Sequence, residues 1–235
     1  MKCKDAGAIQ TPSGVIRLCP DCVDYAKHSR LTVQERDLTI DSIRNRRKDD
    51  ASGQLILLRF LAKSMLDDPY GFLTVVGGPG TAKSLVLTAL IAEFCKTGKR
   101  SMYYTGPDIA KLYNPYDGDP AASDQHFKAI PVLAIDEMDK VKWSEWNIEM
   151  IGNMIDHRYR NQESKVTLFA MNAPPEQWSN ADRLTYLASR LRDGRFGRRW
   201  PEHLMDALPA AANGDPFIPG YINLDMPDLR PALRR

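Results

Sequence analysis

Three short runs in this sequence bring together residue types that can do phosphate chemistry. The first is Gly77-Gly78-Pro79-Gly80-Thr81-Ala82-Lys83-Ser84, set between an apolar run and a helix-forming one. Glycines let backbone amides close around an anion, and the start of the following helix adds positive dipole character. On that reading Gly77 to Leu85 cradle the phosphates of ATP, Lys83 contacts the β- and γ-phosphates, and the Ser84 hydroxyl ligates Mg²⁺. The second run is Val132-Leu133-Ala134-Ile135-Asp136-Glu137, an apolar strand ending in two carboxylates. Asp136 at the tip holds Mg²⁺ directly or through water, and Glu137 polarises the attacking water. The third is Val166 to Met171, ending in Asn172-Ala173-Pro174. An amide at that tip orients the water against the γ-phosphate.

Each run also has a plainer reading. The first can be a left-handed glycine turn with a chance lysine, the second a solvated acidic turn, the third a turn-forming asparagine. The strand before and helix after Gly77 to Ser84 favour the phosphate loop, and that loop in turn favours the roles of Asp136, Glu137 and Asn172. One departure stands inside the loop: the pattern has glycine before the lysine, and here it is Ala82, whose methyl is expected to crowd the phosphates. A fourth run, Ser189-Arg190-Leu191-Arg192-Asp193-Gly194 with Arg195, Arg198 and Arg199, closes a helix. Arg190 can reach a neighbouring subunit's site and stabilise phosphoryl-transfer charge, or the cluster can be a basic helix end favoured by the dipole.

The elements that must position these residues alternate. Helical spacing runs from Gln54 to Met65, from Lys83 to Lys96 with Gly98 as its stop, from Pro107 to Leu112, from Ser144 to Tyr159 and from Ala181 to Arg192. Strands are expected at Phe72 to Val76, Ser101 to Thr105, Pro131 to Ile135, Val166 to Met171 and Tyr221 to Leu224, with a loop from Asn114 to Pro120. Strand and helix in alternation make a parallel sheet covered on both faces, an α/β/α arrangement whose ligands bind at the carboxyl ends of the strands.

The chain has 235 residues, enough for one α/β domain and a small appendage. Hydrophobic residues make up 43% and charged residues 26%, as in a soluble globular protein. The net charge of only +2 means that any nucleic-acid contact must rest on local patches. No run approaches the ~20 apolar residues of a membrane helix, and the first residues lack a signal peptide's apolar segment, so a cytoplasmic protein is expected. There thiols stay reduced. Cys19-Pro20-Asp21-Cys22, with Cys3 and His28, can hold one Zn²⁺ through three thiolates and an imidazole, or form a loose tail with free thiols. Cys95, beside Phe94, reads as core. Arg44 to Lys48, Leu233-Arg234-Arg235, and Lys111 near Tyr113 and Tyr116 suit contact with unpaired DNA bases, or are solvated charged faces.

Taken together, the loop GGPGTAKS and the segments GKRSMYYTGPDIAKL, LAIDEMD, IDHRYRN, TLFAMNAP and SRLRDG resemble the DnaC/IstB-type branch of AAA+ ATPases, bacterial helicase loaders and transposition helpers, over about residues 51–230. Its alanine-bearing loop is similar to the GDPGTAKS-type loop of minichromosome-maintenance helicases. The resemblance implies a five-stranded sheet ordered 5-1-4-3-2 and self-association into a ring or spiral; as a departure, the lid common to AAA+ proteins is expected to be absent or minimal, with 35 residues after Trp200, which suits the loader branch. The cysteines and the polar, basic stretch after them set residues 1–50 apart as an N-terminal module with a basic linker, which leaves residues 51–235 as the ATPase domain. The resemblance gives Arg190 the trans-acting role, leaves Arg230 as a weak second sensor, and puts an extra DNA-contacting helix within 107–127. The function it implies is a helicase loader acting on single-stranded DNA and a replicative helicase. The alternatives are a transposition helper acting on duplex DNA and a nucleotide-gated adaptor with little turnover.

Overall fold

The apolar runs read as strands become one parallel sheet, and its order decides where the chemistry lands. A computed structural model of the chain describes residues 8–10, 16–18, 24–43, 54–193 and 220–224. In chain order the elements are β1 (Ala8–Gln10) paired antiparallel with β2 (Ile16–Leu18), the single turn α1 (Tyr25–His28), α2 (Gln54–Asp67), β3 (Phe72–Gly77), α3 (Lys83–Lys96), β4 (Ser101–Thr105), α4 (Gly106–Leu112), α5 (Pro120–Ala129), β5 (Val132–Asp136), α6 (Glu145–Arg160), β6 (Val166–Met171), α7 (Thr185–Asp193) and β7 (Tyr221–Leu224).

The five strands from β3 onward pair in parallel in the order β4-β5-β6-β3-β7. Numbered along the chain, that is the 5-1-4-3-2 order that the resemblance implies. Alternate residues serve opposite faces. Val132 and Ala134 of β5 join the core formed with α2 and α3, whereas Leu133 and Ile135 join the core formed with α4, α5, α6 and α7. Burial on both faces is why β3, β5 and β6 read as unbroken apolar runs rather than alternating ones. Gly98, at φ 77, ends α3 in the left-handed conformation expected of a C-terminal glycine, and Cys95 is buried as expected.

Three features differ from the sequence reading. The expected helix from Ala181 to Arg192 is a 3-10 turn, Ala181–Leu184, followed by α7. Asn180, at φ 63, sets the entry to that turn, and its side-chain amide donates to the Trp143 carbonyl at 2.7 Å. Second, α5, which the helical spacing does not show although the resemblance puts an extra helix within 107–127, is started by Pro120 and capped where the Asp119 carboxylate accepts from the Ala122 amide at 3.0 Å. Third, residues 24–43, assigned above to module and linker, pack into the main core. Leu31, Ile40 and Ile43 are buried against α2 and α3, and the Ile40 amide donates to Glu93 at 2.5 Å. The Tyr103 amide on the outer edge of β4 donates to the Ser29 carbonyl at 2.9 Å, so this stretch covers the edge of the sheet.

One buried cation fastens the far face. Arg158 of α6 is fully buried and donates to the Thr167 hydroxyl at 2.9 Å and to the carbonyls of Phe127 (2.8 Å), Ile130 (2.7 Å) and Val166 (2.7 Å). Burial pushes its pKa down to about 9, which leaves it charged at neutral pH. It joins the end of α5, the entry to β5 and the start of β6. Truncation strands several buried acceptors, each costing about 1–3 kcal/mol. Arg158→Ala is therefore expected to lower unfolding free energy by about 3 kcal/mol or more, measured by urea denaturation.

Candidate active site

The strand tips of β3, β6 and β5 form the site. Register pairs Val76 with Met171 and Ile135 with Phe169, so Gly77, Asn172 and Asp136 follow one another along the carboxyl edge of the sheet. Asn172 lies on the middle strand of the three.

The loop between β3 and α3 is built for close backbone approach. A Cβ on Gly77 would lie 2.8 Å from both the Cβ and the carbonyl oxygen of Leu224, so β7 packs where only glycine fits. Gly80 has φ 78 and Ala82 has φ 64. The left-handed backbone at Ala82 is itself a physical reason for the pattern's glycine there. Ala82 is also the N-cap of α3 and makes no side-chain cap hydrogen bond. The first-turn amides of a helix have no partner within it, so an uncapped start suits a phosphate. Lys83 is buried, and its Nζ donates to the carbonyls of Gly77 and Gly78, both at 2.7 Å, and to the Thr81 hydroxyl at 3.3 Å. Ser84 and Leu85 are exposed on the first turn of α3.

Asp136 is buried at the tip of β5, only 4% exposed. Its Oδ1 accepts from the Glu137 amide at 2.7 Å and its Oδ2 from the Tyr103 hydroxyl at 2.6 Å. Burial, and then the charge of Asp136, push the Tyr103 phenol well above its usual range, so it stays a neutral donor. Glu137 adopts φ 56 and ψ 38, a left-handed conformation uncommon for a non-glycine residue, and its carboxylate pairs with Lys140. Asn172 is held at two points by Asp139: its amide N–H donates to Oδ1 at 3.1 Å and its side-chain Nδ2 to Oδ2 at 3.3 Å. Tyr103 and Asp139 carry no role in the sequence reading, although both fall inside the runs GKRSMYYTGPDIAKL and LAIDEMD. An acid just past an acidic pair is a local signal; a tyrosine on a neighbouring strand leaves none. A buried carboxylate, a serine hydroxyl, a lysine and uncapped helix amides are the donor set that a magnesium nucleotide requires.

The structure does not bring Arg190 to this edge. Its guanidinium stacks on Tyr159, 4.3 Å from the ring centroid, with Nε 3.4 Å from Asp156 Oδ1. Tyr159 meets the ring of Phe72, the first residue of β3, whereas the phosphate loop leaves the last. Arg190 thus lies toward the opposite end of the strand. Tyr113, read as a surface for bases, is instead fully buried, its hydroxyl 3.4 Å from Asp124. Tyr116 is 94% exposed and Lys111 is exposed. His28 is exposed on α1, whereas Cys3, Cys19, Cys22, Arg44 to Lys48, Arg195, Arg198, Arg199, Arg230 and the last residues lie outside the described residues. Among the described residues no acidic, histidine or cysteine cluster is placed to hold a metal ion, and no helix is long and apolar enough to cross a membrane.

The left-handed Ala82 has a measurable consequence. An L-residue there costs about 1–2 kcal/mol, and glycine returns about 0.4–1 kcal/mol of unfolded-state entropy against folding. Ala82→Gly is therefore expected to leave the thermal midpoint unchanged or a few degrees higher. In a helix interior the same exchange lowers it. Differential scanning calorimetry decides between the two.

No protein-family model and no curated protein matches the chain. Solved structures do. AMPPCP-bound DnaA from Aquifex aeolicus superposes with a TM-score of 0.57 at 20% identity, covering 70% of this chain and 50% of that one. DnaI gives 0.57 at 16% identity over 71% of this chain and 89% of that one. The replication initiator DnaA bound to AMPPCP and single-stranded DNA gives 0.57 at 19%, over 71% and 50%. The chain thus spans about half the length of the DnaA structures it matches. At these identities the likeness is one of fold, and it agrees with the strand order and the loop geometry: the chain has the AAA+ P-loop fold.

Proposed function

We propose that this chain is an ATPase of the DnaC/IstB-type branch that acts in DNA replication, loading a replicative helicase onto single-stranded DNA through ATP-gated self-association. The observation that carries the reading is the strand order, which sets β6 and Asn172 between the phosphate loop and the Asp136-Glu137 pair. Gly77 to Leu85 hold the phosphates, and Lys83 exchanges the carbonyls of its own loop for β- and γ-phosphate oxygens. Ser84 and Asp136 hold magnesium, which neutralises phosphate charge when bound. Glu137 polarises the attacking water and Asn172, oriented by Asp139, aligns it. Arg190, lying toward the other end of β3 from its own loop, suits action on a neighbouring subunit's nucleotide, in a ring or spiral. Exposed Tyr116, just before α5, offers an unpaired base a stacking surface. The DnaA neighbour bound to single-stranded DNA supports that direction.

A nucleotide-gated adaptor with little turnover is the second reading, favoured by the Lys140 pair that engages Glu137. Both side chains are substantially exposed, at 51% and 39%. Such a pair is worth at most about 1 kcal/mol, too little to hold Glu137 out of use.

Steady-state ATP hydrolysis, measured alone, with single-stranded oligonucleotide and with duplex at several protein concentrations, tests the proposal. Turnover is expected to respond to single strands and to rise per subunit with concentration. Glu137→Gln is expected to bind ATP but turn over about 10²-fold or more slowly, and Arg190→Ala to lose about 10³-fold. A response to duplex alone moves the assignment to a transposition helper, and binding without turnover under every condition moves it to the adaptor.

A further inference from the structure

We propose that Tyr103 is a positioning residue for the magnesium site: its hydroxyl fixes the Asp136 carboxylate in the orientation that meets the metal. The inference rests on the reading of Asp136 as a magnesium ligand given above. Its basis is a contact between strands. Tyr103 of β4 pairs in register with Ala134 of β5, and Thr105 pairs with Asp136. Cross-strand neighbours on the diagonal are within reach of a long aromatic side chain. Tyr103 extends along the face where its direct partner is the small Ala134 and donates to Asp136 Oδ2 at 2.6 Å.

Both carboxylate oxygens are then engaged, Oδ1 by the Glu137 amide and Oδ2 by the phenol. A carboxylate oxygen has two acceptor directions, so each oxygen keeps one for the metal or a metal-bound water while its plane is fixed. The outer-shell partner of a ligating carboxylate orients it in this way, and its loss costs about 10- to 100-fold in metal affinity. Tyr103 is itself anchored, because its amide donates to the carbonyl of the fully buried Ser29. The ring therefore approaches Asp136 from a fixed strand.

The test is nucleotide binding rather than turnover. A fluorescent ATP analogue is titrated into the full chain in EDTA and over a series of Mg²⁺ concentrations, for the native protein, Tyr103→Phe, Tyr103→Gln and Asp136→Asn. The native chain is expected to bind more tightly as Mg²⁺ rises. Tyr103→Phe is expected to need roughly tenfold more Mg²⁺ for the same gain, with unchanged affinity in EDTA. Tyr103→Gln, which keeps a donor, is expected to fall between the two and keeps the test open if the phenylalanine variant does not fold. Asp136→Asn is expected to lose the magnesium response. A native response in both Tyr103 variants overturns the positioning role alone. A native response in Asp136→Asn, or none in the native chain, overturns the magnesium reading of Asp136 and the positioning role with it. Weakened binding in EDTA as well as in Mg²⁺ marks Tyr103 as merely structural and also overturns the proposal.

Discussion

Parallel pairing of β6 between β3 and β5 sets the scale of the site, because hydrogen-bonded strands lie about 4.8 Å apart. The phosphate loop at the tip of β3 and the acidic pair at the tip of β5 are thereby held about 10 Å apart across the sheet, with Asn172 midway. No loop could hold three side chains in that array as firmly as a sheet packed on both faces. A reordering that made β3 and β5 neighbours would leave Asn172 on the wrong side of the acidic pair. The two cores, one against α3 and one against α6 and α7, thus serve the site by keeping the sheet's edge rigid.

Strain is concentrated on that edge. Among the described residues, two of the four non-glycine residues with positive φ, Ala82 and Glu137, stand at the phosphate loop and the acidic pair. Such residues persist where surrounding structure over-determines them, and they cluster at functional sites. Here each has a local partner in the geometry. The backbone at Ala82 turns the loop into α3 with no capping side chain in the way. The backbone at Glu137 delivers its own amide to Asp136 and turns the chain into the 3-10 turn, Met138–Lys140, that carries Asp139 to Asn172. The backbone conformation and the hydrogen bonds of the carboxylates are one arrangement.

Much of this was legible along the sequence, because buried parallel strands read as apolar runs and the informative residues sit directly after them. Gly77 to Ser84, Asp136, Glu137 and Asn172 are found in that way, and the structure sets them on one edge. What escaped has a common cause: it depends on partners distant in the chain. Tyr103 acquires a role only through a strand more than one helix away, and Tyr113 is buried by Phe127 and by Trp146, whose indole donates to its carbonyl. The helix α5 shows little periodicity because a single residue, Phe127, is its buried anchor. Residues 24–43 read as module and linker because their apolar anchors, Leu31, Ile40 and Ile43, are spaced too irregularly for helix or strand. Arg158 falls inside the run IDHRYRN with no role in the sequence reading, and only the carbonyls that converge on it separate it from its basic neighbours.

The cover that residues 24–43 place over β4 bears on how such a domain can be recombined. A sheet edge with unpaired amides and carbonyls invites any passing strand to join it. The portable unit is therefore the P-loop fold together with the segment that seals its flank through Ser29 and Tyr103. A cut that replaces what precedes this segment is constrained to fall ahead of the seal, so that the seal travels with the sheet it protects.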